Sequence, residues 1–180
     1  HYETINLLLK GGIDPNSRNN SGLTVLMLAC KSGNIKTIET LINNGAKVEL
    51  KDRYSKTALI HAASNGNESA INLLLYKGAK VDSIDKSEWT ALMWAIKNKK
   101  YKSAKVLILH GADVNHKDNE GTHLIHYAVH SRSFKLIKLL VDAKVNLKAK
   151  DQYGLTALVY ALKNKNKSIV DLIKNAGGEY

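Results

Sequence analysis

Three histidines, His123, His126 and His130, stand at i, i+3 and i+7, with His116 a few residues upstream. Imidazoles on one helical face are the residues of this chain best suited to hold Zn²⁺. No cysteine or arranged carboxylate completes a ligand set, so no metal site is assigned. The lone cysteine, Cys30, falls in a column with Ala63, Ile96, Val129 and Leu162, which suggests packing rather than nucleophilic chemistry. Acids recur at Asp52, Asp85, Asp118 and Asp151, but singly, at a turn, and not as a catalytic pair. No glycine loop suited to cradle phosphate is present. The chain is therefore read as non-enzymatic, with neither metal nor cofactor. Its remaining chemistry is recognition, through Trp89, Trp94, several tyrosines and a surplus of cations.

The 27 Lys and Arg outweigh 16 Asp and Glu, for a formal net charge of +11. The surplus is lopsided. Residues 1–90 hold 11 cations against 9 acids, and residues 91–180 hold 16 against 7. Such asymmetry can mark the footprint of an anionic partner, with compositional drift in a Lys- and Asn-rich chain as the competing reading. One cysteine cannot close an internal disulfide, which fits an intracellular setting, cytoplasmic or nuclear. No run of about 18 apolar residues is present to span a membrane.

The elements that must position these side chains recur every 33 residues: Asn19, Asp52, Asp85, Asp118 and Asp151 share one column. Thr24, Thr57, Thr90, His123 and Thr156 form a second, and Leu26, Leu59, Leu92, Ile125 and Leu158 a third. Small residues follow at Ala29, Ala62, Ala95, Ala128 and Ala161. Each unit predicts a turn, a short helix capped by Thr, a tight connection and a second helix closed by Gly. A single unit cannot bury its apolar face, so the units must stack into a solenoid.

Segments such as GLTVLMLACKSGN, SKTALIHAASNGN and GLTALVYALKNKN, with closings such as GADVNHKD, resemble the ankyrin repeat. The resemblance covers nearly the whole chain. It implies an all-α ankyrin solenoid of helix-turn-helix units with protruding β-turn or hairpin loops, and protein binding through the concave face. As one domain it divides into a partial unit at 1–18, full units at 19–51, 52–84, 85–117 and 118–150, and a capping unit at 151–180. The array is expected to continue upstream of residue 1 and to behave as a monomer. Two family features are altered. The proline that usually follows Thr is replaced by Val25, Ala58, Ala91, Leu124 and Ala157, and Lys144 occupies the closing-Gly column, where a strained or reshaped turn is expected.

The turn tips contribute Arg53, Tyr54, Lys56, Lys86, Trp89 and Tyr153 as partner-binding candidates, with the three aromatics expected to be exposed and packing of Trp89 on its neighbour's turn as the competing reading. Lys97 and Asn98 join them, because Ser32, Asn65, Asn98, Ser131 and Asn164 are expected to face solvent. The column Leu28, His61, Trp94, Tyr127 and Tyr160 reads mainly as interior filling, with Trp94 open between core and contact. Between the helices, Gly33 and Gly66 give way to Lys99, Arg132 and Lys165. With Lys100, His130 and Lys163 they are read as a basic ridge suited to an acidic segment, a lipid headgroup or nucleic acid. Nucleic acid is disfavoured because only Tyr101 interleaves with the cations. A purely architectural spacer is the third reading.

Overall fold

The computed structural model describes residues 2–180, and among these it holds eleven α-helices. They are α1 (Tyr2–Lys10), α2 (Val25–Ser32), α3 (Ile35–Asn43), α4 (Ala58–Asn65), α5 (Glu68–Tyr76), α6 (Ala91–Lys97), α7 (Tyr101–Leu109), α8 (Leu124–Ser131), α9 (Phe134–Asp142), α10 (Ala157–Lys163) and α11 (Lys167–Asn175). The first helices α2, α4, α6, α8 and α10 stack in one row, and α1, α3, α5, α7, α9 and α11 stack in a second. Between the rows lies a continuous core. Leu26, Leu59, Leu92, Ile125 and Leu158 are each buried, as are Ala62, Ala95, Ala128 and Ala161, whose small side chains allow neighbouring helices to approach. Leu41, Leu74, Leu107, Leu140 and Ile173 close the core from the second row. The chain is all-helical apart from isolated β-bridges such as Arg18 with Thr24 at the bases of the loops.

The helix starts follow from side-chain chemistry. The hydroxyls of Thr24, Thr57 and Thr90 accept from the N–H of Met27, Ile60 and Met93 at 3.2, 3.4 and 3.3 Å, satisfying a donor that the helix leaves free. Two units depart from this expectation. His123 makes no side-chain cap, and Thr156 donates instead to the Glu179 carbonyl at 2.7 Å, tying the C-terminal residues to α10. Ser131 also departs from expectation: it is buried rather than solvent-facing, and its hydroxyl donates to the Ala128 carbonyl at 2.7 Å.

Successive loops are joined by a ladder that the helical periodicity does not reveal. Side-chain oxygens of Asn16, Glu49, Asp82 and Asn115 each accept the backbone N–H of the residue 31 positions on, at 2.8, 3.1, 3.1 and 2.7 Å. Each unit thereby satisfies a polar group of the next loop and fixes the stacking offset.

Lys144 settles between strain and a reshaped turn in favour of strain. Its φ is 61°, and the bonds of Lys144 N–H to Val141 and of Val145 N–H to Leu140, both 3.0 Å, match those at Gly45 and Ala46. The left-handed position is retained without glycine. Replacing the exposed Lys144 by glycine is therefore expected to stabilise the fold by about 1 kcal/mol, read as a higher urea midpoint at unchanged slope.

Candidate functional site

The four turn aspartates carry the geometry of the concave face. One carboxylate oxygen of each accepts two backbone N–H groups of its own turn. Asp85, for example, takes those of Ser87 and Trp89 at 2.9 and 3.0 Å. The second oxygen accepts from the side chain nine residues on: His61 Nε2 to Asp52 at 2.9 Å, Trp94 Nε1 to Asp85 at 2.8 Å, Tyr127 to Asp118, and Tyr160 to Asp151 at 2.5 Å. The first full unit shows the rule by its exception. Asn19 serves the Ser21 and Leu23 N–H groups at 2.9 and 3.0 Å, but Leu28 stands in the donor column and is exposed. In the sequence these acids read as turn formers and the donor column mainly as interior filling. The fixed nine-residue spacing between acid and donor was the signal that could have joined them.

Trp89 corrects an expectation. The tip pattern predicts an exposed ring, yet Trp89 is only 7% exposed and belongs to the core. Its Nε1 donates to Asp118 of the next turn at 3.1 Å, and its ring meets Trp94 and Tyr127 with centroids 5.1 and 4.6 Å apart. The polar partner lies in the following unit, so the local tip pattern could not reveal the burial. Trp94 is half-buried, with its nitrogen tied to Asp85 and its ring lying between Lys56 and Trp89.

Around Trp94 the structure brings together most of the tip residues named from sequence. On one side Tyr54, Lys56, Asp85, Lys86 and Ser87 line a cleft of about 230 Å³ with it. On the other, Trp89, Lys97, Asp118, Asn119, Glu120 and Tyr127 line a second cleft of about 330 Å³. Lys56 Nζ lies 3.6 Å from the Trp94 ring centroid, and Lys97 Nζ lies 4.5 Å from that of Trp89. Both ammonium groups are in cation–π range, and neither has a carboxylate within 4.0 Å among the described residues. Tyr54 is 67% exposed. Arg53 and Lys86 are exposed beside it, and the Lys86 N–H joins the two turns through the Tyr54 carbonyl at 3.0 Å.

Asn98 and Tyr153 lie apart from this cluster. The Asn98 amide is engaged with Ser64, donating to its carbonyl at 2.9 Å and its hydroxyl at 2.8 Å. Tyr153 is exposed at the last turn. Lys99, His130, Arg132, Lys163 and Lys165 are exposed, whereas Lys100 is half-buried against Gly66.

Among the described residues no three of the His, Cys, Asp and Glu side chains gather as a metal site requires. The His126 ring is buried and donates from Nε2 to the Leu155 carbonyl at 3.0 Å, while Nδ1 of His130 donates to the His126 carbonyl at 2.8 Å and Nδ1 of His123 to that of Asn115 at 3.2 Å. Burial pushes the Cys30 thiol up to about 12, which leaves it protonated and inert. The Tyr160 hydroxyl is pushed up to about 12 by its bond to Asp151 and then by burial. Tyr127 is raised further, by burial first and then by Asp118. Both phenols therefore remain donors. Burial lowers His61 more than Asp52 lifts it, with Lys56 and Lys31 reinforcing the fall, so at pH 7 the imidazole is a neutral donor to Asp52 and not a cation paired with it. His126 is lowered for the same leading reason, against the Leu155 carbonyl and Asp151.

A family model described as ankyrin repeats (3 copies) matches residues 1–85, 56–118 and 92–180. A comparison with curated proteins returned no match.

Two outcomes follow from the aspartate network. Asp118→Asn turns an amide toward two donors, Trp89 and Tyr127, and should lower stability by about 2 kcal/mol in urea unfolding. Asp151→Asn, which loses one such donor, should lower it less. Because folding lowers the affinity of His61 and His126 for protons, the unfolded chain binds them more readily. Their contribution to stability is complete above the ordinary histidine value of 6.5 and is lost as pH falls below it. Urea midpoints at pH 7.5 and 5 should differ accordingly, and less so in His126→Gln.

Proposed function

This chain belongs to the ankyrin-repeat family, and from that premise we propose that it captures a partner protein through the concave face around Trp94. Ankyrin repeats are in general protein–protein interaction modules. The observation that carries the assignment to this face is Trp94 itself, a half-open indole that walls two clefts at once, one shared with the preceding turn and one with the following. A tryptophan whose edge is hydrogen-bonded and whose ring is flanked by Lys56 and Trp89 is held in place before a partner arrives, so little side-chain freedom is lost on binding. Tyr54 and the ammonium groups of Lys56 and Lys97 supply the aromatic and cationic anchors typical of interface hot spots. Asp85 and Asp118 do not oppose an incoming anion as free carboxylates would, because their oxygens already accept three and four hydrogen bonds.

The test uses residues that the fold does not need. Tyr54→Ala with Lys97→Ala should leave the melting temperature within error and weaken partner binding by about tenfold or more. Trp89→Ala is the wrong probe, since it opens a cavity. Affinity capture in which both proteins retain the same partners at the same strength would remove the concave face from consideration and favour an architectural spacer.

A further inference from the structure

A separate surface lies along the edge where each first helix turns into the second. Gly33 and Gly66 make this connection in the first two full units, with φ of 77° and 89°. The next three units hold Lys99, Arg132 and Lys165 in the same left-handed conformation, with φ of 56°, 55° and 52°. Glycine meets that backbone requirement without strain, so the fold gains nothing from a cation there. The other non-glycine residues with positive φ, Ser55, Glu88 and Lys144, form no like-charged series. Strain held in register across three consecutive units points to a use outside the fold.

All three cations are exposed, and none has a carboxylate within 4.0 Å among the described residues. Arg132 makes one long hydrogen bond, 3.5 Å to Asn164. Of the acids on the neighbouring second helices, Glu68 and Asp142 are paired with Lys102 and Lys138 at 3.5 and 3.1 Å, and Asp171 stands on α11. Two residues beyond Lys99 and Arg132 come Tyr101 and Phe134, 38% and 44% exposed. They line a cleft of about 530 Å³ between α7 and α9, together with Leu139, Lys135, Lys138 and Asp142, the last two paired with each other. Phe134 and Tyr101 together give this edge an apolar recess beside its cations.

We propose that this edge binds an extended acidic protein segment with a carboxylate at every third position, one apolar side chain of which enters the Tyr101–Phe134 cleft. The spacing supports it. Stacked helices lie about 8–10 Å apart, and a segment extended as polyproline II returns its side chains to the same side every three residues, about 9 Å. Acids at i, i+3 and i+6 therefore meet Lys99, Arg132 and Lys165 in turn. A single-stranded nucleic acid fits less well, because two aromatics share one cleft and no run of stacking platforms follows the cations. A flat bilayer fits less well too, because the apolar groups line a recess and do not project.

The experiment is fluorescence anisotropy on the full chain with a labelled peptide carrying Glu at i, i+3 and i+6 and one Leu. The comparison peptide has the same composition with its three Glu adjacent. The spaced peptide is expected to bind about tenfold more tightly than the clustered one, and its affinity to fall with added salt. The triple variant K99G, R132G, K165G should lose about tenfold or more in affinity while melting no lower than the parent, since glycine relieves the left-handed strain. A second triple variant, to Asn, a residue that tolerates the same conformation, should lose binding equally. Phe134→Ala should weaken the Leu-bearing peptide and leave a Leu-free peptide unchanged. Equal affinity for the two spacings, binding that survives both triple variants, or tighter binding of a single-stranded oligonucleotide or phosphatidylserine vesicles would overturn the proposal. Tyr54 and Lys97 play no part in it, so this edge and the concave face succeed or fail independently.

Discussion

Each of the four turn aspartates uses both carboxylate oxygens, and the arrangement of the concave face depends on that division. One oxygen closes the turn by taking two backbone N–H groups. The other holds the side chain that rises from the first helix nine residues later. A carboxylate suits both tasks because it only accepts and has lone pairs enough for several donors. Asparagine can close the turn but presents an N–H₂ group where the second acceptor should be. The pairing of Asn19 with Leu28, which donates nothing, follows from that chemistry.

The same division explains why the middle of the array is aromatic and ordered. Asp118 receives Trp89 and Tyr127 on a single oxygen, so the indole of one unit is fastened to the turn of the next. Trp94 is fastened by its edge to Asp85, which sets it as the wall between two clefts. Lys56 and Lys97 then lie over the indoles of Trp94 and Trp89. A face of fixed aromatics and unpaired ammonium groups results from satisfying buried polar atoms, and it forms where three consecutive units meet.

The helix-connection edge follows a different rule. Glycine is present where the next unit approaches closely: a Cβ at Gly33 would fall 2.8 Å from Asn67 Oδ1, and one at Gly66 would fall 2.9 Å from Lys100 Cδ. Beyond that point the left-handed conformation is kept while glycine is not. Backbone geometry is thus common to all five connections, and the side chain placed on it is free to vary toward charge.

The 33-residue period, the two helices per unit, the Thr starts and the Gly closings were legible from sequence because they depend on neighbours in the chain. Apolar spacing alone specifies which side of each helix is buried, and five copies in phase specify stacking. Tyr54, Lys56 and Lys97 were found as surface residues for the same reason. The burial of Trp89 was not legible, nor was the capture of Ser131 and Thr156 by backbone carbonyls. Trp89 donates to an acid 29 residues away and Thr156 to a carbonyl 23 residues on, while the local bond of Ser131 depends on a rotamer that spacing does not encode. The cleft between Tyr101 and Phe134 likewise exists only because α7 and α9 lie side by side. Sequence by itself determined the unit and its repetition, through local helical and turn preferences. The tertiary structure decided which side chains remain open, because that depends on the polar partner each one meets in the adjoining unit.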